Sequence, residues 1–309
     1  MFKSVVFFSE SQIRGKVDRT FPNARNDIAW SIMMDADWCP YGEVPQKKYE
    51  LGIVTIPKTK PNINFEILKQ YCDKIAVMQE GPHWYFQDYS VEQQFQFIEN
   101  LRSADWVYCH NESDKPYYVG LGCKDVRVMR TLMLPEGLDS QRYSSDKEGI
   151  LLGGNFTSWY SGLDSYLIAH AVNQPITNVS MGRKQEQEDM IPDIKYLPYM
   201  TWREWIDECG KYKVGIHMMR THAAGTFSLN LAYHGTPCLG YKGLDTQELL
   251  HPQTTVEVGD IFGAQKILKK LYEDKFFYHE CSEQSNELYN KYFEEEQWLK
   301  HFNKENNFG

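Results

Sequence analysis

Short apolar runs alternate with amphipathic stretches along most of this 309-residue chain. The runs suit strands that are buried on both faces, and apolar positions three and four apart suit helices with one buried side. The pattern predicts strands at 4–8, 49–56, 74–79, 106–109, 127–129, 150–152, 177–181, 195–196, 213–217 and 236–241. It predicts helices at 26–35, 64–71, 91–103, 114–120, 223–234, 261–273, 276–290 and 294–302, and one that begins after an N-cap at Thr201.

This alternation predicts parallel sheets joined by right-handed crossovers. A polar stretch at 134–148, which contains Pro135 and Gly137, reads as a linker between two blocks. The fold class we expect is therefore α/β, with two Rossmann-like domains facing a cleft. We place the first domain at 1–140 and the second at 149–290.

A glycine turn lies at the start of the second block. The strand Ile150–Leu152 is followed at once by Gly153, Gly154 and Asn155, and then by helical spacing. A turn of this kind before a helix directs backbone N–H groups and the positive end of the helix dipole at one point, which suits a phosphate. The alternative is a plain tight turn, because the dinucleotide fingerprint and the P-loop lysine are both missing.

Composition and charge narrow the class of protein. Hydrophobic residues make up 42% and aromatic residues 14% of the chain, enough for a large core, and the net charge is −9. That charge argues against binding of nucleic acid by a broad basic surface, although it is compatible with a local basic cleft. The seven cysteines are scattered without metal-ligand spacing, and no apolar run is long enough to span a membrane. We expect a cytoplasmic protein (in the host cytoplasm if it is viral) without a metal.

Two titratable residues directly follow the predicted strand 74–79. Glu80 and His83 stand where a side chain faces the ligand crevice of an open α/β sheet. Either could take a proton from an acceptor hydroxyl. The alternative is a solvated carboxylate and a histidine that packs beside Trp84.

Cationic side chains follow two predicted strands of the second block. Arg183 and Lys184 follow 177–181, and Arg220 and His222 follow 213–217. Cations that converge near the glycine turn could neutralise a diphosphate, although ordinary surface charge is an equal alternative. A third cationic set lies in the first loop and reads more simply as solvated: Arg14, Lys16 and Arg19.

An aromatic stretch precedes the helix that begins after Thr201. Tyr199, Met200 and Trp202 could form one wall for a nucleoside base. Residues of this kind are more often part of a core, so both interpretations stay open.

The segment from Arg220 to Gly240 resembles the nucleotide-sugar motif of GT-B glycosyltransferases. In that family a glycine-containing loop opens a helix that ends in Gly-x-Pro, as Gly225, Gly235 and Pro237 do here. Asn230 stands where the family's ribose-binding glutamate is usual, and His222 stands where many retaining members carry a first glutamate. The resemblance implies that Asn230 contacts the ribose, and that His222, Gly225 and Thr226 lie near the donor sugar. It also implies that a C-terminal helix, 291–309, returns to the N-terminal domain.

The loop Gly153-Gly-Asn-Phe is most similar to that of the phage DNA glucosyltransferases, which carry Gly-Gly-Ser-Phe in the corresponding place. Glu80 stands where those enzymes carry a catalytic base. Their arginines are not matched; Thr157, Ser161 and Phe227 stand nearby instead. The similarity implies an enzyme that flips a hydroxymethylated pyrimidine out of DNA, with phosphate contacts from the following cations: Arg14, Lys16, Arg19, Arg25 and Lys115.

The resemblance implies a metal-independent glycosyltransferase whose co-substrate is a nucleoside-diphosphate sugar, most simply a UDP-sugar. Gly153, Gly154 and Asn155 would hold the diphosphate, and Tyr199 and Met200 the base. Three alternatives remain at this point. They are a glycosyltransferase for a glycan or lipid-linked acceptor, a catalytically silent nucleotide-sugar-binding module, and a generic Rossmann dehydrogenase. The missing Gly-x-Gly-x-x-Gly and the Gly-Thr-Pro helix end count against the last.

Overall fold

The chain forms two compact units. The computed structural model describes residues 2–22, 25–56, 63–79, 81, 85–135, 147–157, 159–179 and 184–308. Unit 1 consists of Met1–Leu134, His222–Ala224 and Trp298–Gly309. Unit 2 consists of Pro135–Thr221 and Gly225–Gln297.

Unit 1 is built on a seven-stranded sheet in the order β2-β3-β1-β4-β5-β6-β7. The pairs are parallel except for β2 with β3. Its strands are β1 (Val5–Ser9), β2 (Gly15–Lys16), β3 (Asp37–Pro40), β4 (Tyr49–Thr55), β5 (Cys72–Met78), β6 (Trp106–Cys109) and β7 (Val126–Val128). Its helices include α1 (Asn26–Met33), α2 (Phe65–Leu68), α3 (Val91–Ser103) and α4 (Lys115–Gly120).

The core of unit 1 covers both faces of this sheet. Along β1, Val6 and Phe8 point into one hydrophobic cluster, whereas Val5 and Phe7 point into the other. Such alternation with apolar residues on both sides is what a strand buried on two faces requires.

The last helix, α11 (Glu295–Glu305), completes the second of these clusters. Its Trp298 and Phe302 are buried beside the β1 residues, and the Trp298 indole donates a hydrogen bond to the Arg130 carbonyl at 2.8 Å. The predicted return of the C-terminal helix to the N-terminal domain is therefore confirmed.

Unit 2 contains a fully parallel six-stranded sheet in the order β10-β9-β8-β11-β12-β13. Counted within the unit, this is the Rossmann order 3-2-1-4-5-6. Its strands are β8 (Ile150–Gly153), β9 (Ile176–Val179), β10 (Ile194–Tyr196), β11 (Val214–His217), β12 (Cys238–Tyr241) and β13 (Thr255–Val256). Its helices are α5 (Gly162–Ala169), α6 (Trp202–Cys209), α7 (Thr226–Tyr233), α8 (Asp245–Leu250), α9 (Ile261–Glu273) and α10 (Lys275–Tyr292).

The predicted helix at 223–234 begins three residues late, at Thr226. Gly225 adopts φ +72°, which a right-handed helix cannot contain, so α7 starts immediately after it. The hydrophobic pattern did not predict two further elements. They are β3, a four-residue strand that contains a proline, and α8.

The seven cysteines are buried free thiols. Within the described ranges, no helix has the length and apolar character that crossing a bilayer demands.

Candidate functional site

The strand order of unit 2 locates the place where a ligand is expected. Strands β8 and β11 are parallel neighbours, and the chain leaves the sheet in opposite directions on their two sides. In open α/β sheets, ligands bind beyond the carboxyl ends of two such strands. Here those ends carry Gly153 and His217, so the loops that follow each strand meet at this edge.

Gly153 is in close contact with the elements around it. A Cβ atom at this position would lie 2.9 Å from both the His217 Cγ and the Phe227 Cδ1 atoms, closer than carbon atoms pack. Phe227 belongs to the first turn of α7. The glycine therefore lets the turn after β8 lie directly against the N-terminal end of a helix.

The rest of the glycine turn is held by internal hydrogen bonds. Gly154 has φ +81°, and its carbonyl accepts a hydrogen bond from the Asn178 amide at 3.0 Å. The buried Asn155 side chain accepts from the Thr157 N–H at 3.2 Å and from its hydroxyl at 2.6 Å. Because this side chain shapes the loop, we expect a phosphate here to contact the backbone N–H groups.

Arg220 is anchored beside this edge of the sheet. Its Nε and Nη2 atoms donate to Asp164 Oδ2 at 3.2 and 2.5 Å, and the Tyr241 hydroxyl donates to the same oxygen at 3.0 Å. The Asp164 side chain is only 11% exposed, whereas that of Arg220 is 51% exposed. Asp164 raises the pKa of the arginine, so the partly exposed guanidinium stays charged. The sequence predicted Arg220 but not the two residues that hold it.

The N-terminal end of α7 has a second glycine that the packing requires. A Cβ on Gly225 would approach the Thr246 hydroxyl to 2.0 Å, and that hydroxyl also accepts from Ser228 at 2.8 Å. Thr226 opens the helix and is half-buried. Asn230 follows one turn later on the same face and is buried. Helix N–H groups without intrahelical partners, together with the helix dipole, favour an anion at such an end.

A shallow apolar pocket in unit 2 contains two of the residues predicted to cover a base. It is lined by Val179 at the carboxyl end of β9 and by Pro198, Tyr199, Met200 and Trp205. Tyr199 is 68% exposed, and so is available to stack. The structure brings Trp205 into this pocket; the sequence instead suggested Trp202, which stacks with Arg203.

The structure gives less support for the other two cations that were predicted to bind the diphosphate. Lys184 forms an ion pair with Asp189 and lies 4.2 Å from the centroid of the Tyr196 ring. Its charge is therefore partly neutralised. Arg183, like the catalytic candidates Glu80 and His83, lies outside the described residues.

A buried histidine at the end of β11 was not predicted. Neither ring nitrogen of His217 has a hydrogen-bond partner in the described part of the chain, and burial lowers its pKa to about 4. By contrast, both nitrogens of the buried His251 are hydrogen-bonded, to the Cys238 N–H at 3.2 Å and to the Ser228 carbonyl at 2.9 Å. His217 is the last residue of a predicted strand. A polar residue at a position predicted to be buried was the one signal that could have identified it.

His222 belongs to unit 1, although it lies in the second half of the chain. Its Nδ1 atom lies 2.7 Å from Asp114 Oδ1. The two residues that follow are held in the same unit: Asn111 donates to the Ala223 carbonyl at 3.1 Å, and the Thr131 hydroxyl donates to that of Ala224. The sequence had grouped His222 with the donor-binding loop and had not predicted its acidic partner.

The unit 1 cations predicted to contact DNA phosphates are mostly paired with acids. The pairs are Arg14 with Glu43, Lys16 with Asp35, Arg25 with Asp27, and Lys115 with both Glu112 and Glu305. Each pair lowers the positive potential that a phosphate would meet.

One group of possible metal ligands occurs in the described residues: Glu112, His301 and Glu305. The Lys115 ammonium lies 3.1 Å from a carboxylate oxygen of each glutamate, and the Val128 N–H donates to Glu305 at 2.9 Å. A lysine thus already supplies the positive charge between these carboxylates. We assign no metal to the group.

No protein-family model and no curated protein matches the chain. Solved structures do match it. Sucrose-phosphate synthase from Thermosynechococcus elongatus aligns with a TM-score of 0.70 at 10% identity over 97% of both chains. An E. coli trehalose-6-phosphate structure bound to UDP-2-fluoro glucose aligns with a TM-score of 0.67 at 10% identity over 98% of both chains. S. aureus TarM, solved with UDP, aligns with a TM-score of 0.62 at 9% identity over 82% of this chain and 55% of its own. These similarities establish the GT-B fold with two Rossmann-like domains.

Proposed function

We propose that this protein is a glycosyltransferase that moves a sugar from a nucleoside-diphosphate sugar to an acceptor hydroxyl. One observation carries the proposal: Gly153 lies directly against the first turn of α7 at the switch point of the unit 2 sheet. This contact combines a glycine turn with the positive end of a helix, an arrangement that binds anionic phosphates. A UDP-sugar is the first donor to test, because two structures of the same fold were solved with UDP or a UDP-sugar.

This placement supports the donor roles that we propose. Backbone N–H groups of the glycine turn and of α7 hold the diphosphate, and the Arg220 guanidinium adds charge. These groups stabilise the leaving diphosphate without a metal. We assign the diphosphate to Gly153, Gly154, Asn155, Arg183, Lys184 and Arg220, the nucleoside to Tyr199, Met200 and Asn230, the donor sugar to His222, Gly225 and Thr226, and catalysis to Glu80 and His83.

The acceptor in the proposal is a hydroxymethylated pyrimidine in DNA, on the strength of the Gly-Gly-Asn-Phe loop. The net charge of −9 and the paired unit 1 cations limit the phosphate contacts that such an acceptor would need. A glycan or lipid-linked acceptor is the second candidate, and it requires no such contacts.

A transfer assay tests the proposal. The protein is incubated with a panel of nucleotide sugars and either hydroxymethylated DNA or glycan acceptors, and the products are identified by mass. We expect a hexose or N-acetylhexosamine increment with a UDP-sugar, and a large loss of it in Arg220→Ala. An increment on a glycan alone refutes the DNA acceptor. Binding of a nucleotide sugar without turnover on any acceptor identifies a silent binding module, and absence of binding to every nucleotide sugar of the panel refutes the proposal itself.

A further inference from the structure

His217 is a buried histidine at the edge of the unit 2 sheet where a ligand is expected. It is the last residue of β11 and keeps only 7% of its surface exposed. In the described part of the chain, neither ring nitrogen has a hydrogen-bond partner, and neither is accessible to solvent. A buried polar group without a partner destabilises the folded state, so such groups are rare away from functional sites. At the carboxyl edge of a parallel sheet, this one indicates contact with a ligand.

We propose that His217 donates a hydrogen bond to the diphosphate of the nucleotide-sugar donor and takes up a proton from solvent when the donor binds. This inference rests on the proposed function and adds a further residue of unit 2 to the donor site. An imidazole suits this role because the neutral ring carries one N–H donor and the protonated ring carries two.

The imidazole lies between the two elements that we assign to the diphosphate. A Cβ atom on Gly153 would lie 2.9 Å from the imidazole Cγ atom, so the ring packs directly on the glycine turn. The Phe227 ring, in the first turn of α7, has its centroid 5.1 Å from that of the imidazole. The ring therefore contacts the turn and the start of the helix, where the helix dipole favours an anion.

Tyr160 covers the imidazole. The two rings are stacked, with their centroids 6.4 Å apart and 29° between their planes. A Cβ atom on Gly154 would lie 2.9 Å from the Tyr160 Cβ atom, so Tyr160 also packs on the glycine turn. Tyr160 is half-buried and precedes α5. A diphosphate that reaches the turn displaces this side chain, and the displacement opens the imidazole to the ligand.

The side chains packed on the ring leave it neutral near pH 7. Burial alone lowers the pKa of His217 to about 4, and no charge of the described residues contributes. The packed elements present Gly153 from β8, Gly240 from β12, Phe227 from α7 and Tyr160 from the segment before α5. Of these four residues, the one with a titratable group is Tyr160, whose phenol is neutral when protonated.

A diphosphate changes this balance. Arg220, three residues after His217, is paired with Asp164, so the imidazole gains a new charge of opposite sign when the ligand binds. A neighbouring anion favours the charged imidazole and raises its pKa. The complex therefore holds more protons than its free components in the range above the pKa of the free ring. Affinity for the donor should accordingly rise as the pH falls toward that value.

His251 is a control within the same unit. It is buried like His217, and burial likewise lowers its pKa to about 4. Its Nδ1 atom accepts from the Cys238 N–H at 3.2 Å, and its Nε2 atom lies 2.9 Å from the Ser228 carbonyl oxygen. Both nitrogens of this ring are used by the fold. In nitrogen-15 NMR of labelled histidine, UDP should therefore shift the His217 signals, assigned by their loss in His217→Gln, and leave those of His251 in place.

Calorimetry with UDP and with inorganic diphosphate tests the contact. His217→Leu replaces the ring by a side chain of similar size without polar atoms, and should weaken both ligands about tenfold or more. His217→Gln keeps an N–H donor and should lose less. Loss of UDP affinity with unchanged affinity for inorganic diphosphate overturns the assignment to the diphosphate. A lowered melting temperature of His217→Leu with unchanged affinity for both ligands identifies a structural histidine and also overturns it.

Calorimetry in buffers of different ionisation enthalpy tests the protonation. The ligand is UDP-glucose, or another nucleotide sugar that binds, because a diphosphate esterified at both ends does not titrate near neutral pH. At about pH 6, wild-type protein should take up more protons on binding than His217→Gln. The exposed His170 supplies the control variant, His170→Gln, which should match the wild type. Equal uptake in wild type and His217→Gln overturns the protonation and leaves the glycosyltransferase proposal intact. Wild-type protein that binds no nucleotide sugar contradicts the proposed function, and the role of His217 with it.

Discussion

Arg220→Ala should weaken the binding of UDP more than any other single loss of charge in unit 2. The guanidinium is fixed by two hydrogen bonds to Asp164 and remains 51% exposed, so it can meet a ligand without being reoriented. A hydrogen bond between charged groups contributes about 1.5–3 kcal/mol. At about 1.4 kcal/mol per factor of ten, the dissociation constant should rise about 10- to 150-fold.

The carboxylate that remains after this substitution adds to the loss. With the arginine gone, Asp164 is a poorly solvated negative charge beside a diphosphate, held by the Tyr241 hydroxyl. Asp164→Asn in the Arg220→Ala background should therefore recover part of the affinity. Asp164→Asn alone should weaken binding less than Arg220→Ala, because the cation stays.

Isothermal titration calorimetry with UDP at low and high salt measures these changes. Arg102→Ala is the matched control: that arginine is 48% exposed, pairs with Glu99 at 3.2 Å and lies in unit 1. It should bind UDP as the wild type does. If Arg220→Ala remains folded and binds UDP within about twofold of the wild type, the diphosphate does not lie beside this guanidinium.

Three further predictions follow from the same geometry. Gly153→Ala should lower UDP affinity at least about tenfold in calorimetry, because the new Cβ must displace His217 or Phe227, and unchanged affinity would show that the turn is not the phosphate site. His217 and His251 have pKa values lowered to about 4 by burial. The unfolded chain therefore binds more protons between about pH 6.5 and 4. The free energy of unfolding from urea titrations should fall as pH falls through this window, by up to about 3 kcal/mol per histidine and by less in His217→Gln; a flat profile contradicts this. Tyr199→Ala should weaken UDP about five- to tenfold while leaving inorganic diphosphate unaffected, and equal losses for both would place Tyr199 away from the base.

The fold could be predicted because the local pattern and the global architecture agree. Helix α3 was predicted at its observed limits, Val91–Ser103, because its apolar spacing is that of a helix with one buried side. Strand β3 could not be predicted, because its four residues include a proline and form a strand only by pairing with β1. The start of α7 was misplaced for a related reason: Gly225 has a positive φ and packs against Thr246, which is 21 positions along the chain, and the local pattern of residues indicates neither.

The residues that hold the candidate site were harder to find than those that would contact a ligand. Arg220 stood out because it follows a strand, but its anchor Asp164 looked like any acid in the first turn of a helix. Asp114 likewise precedes a helix in the sequence, and 108 residues separate it from His222. Such pairs form only when distant loops meet in the folded chain, and a single sequence carries no signal for them.

A crystal structure of the protein soaked with UDP tests the central claim most directly. The account predicts that the diphosphate lies at the carboxyl ends of β8 and β11, within hydrogen-bond distance of backbone N–H groups in the 153–155 turn and at the start of α7, with Arg220 beside it. UDP bound elsewhere in unit 2, or no UDP at saturating concentration, would contradict it.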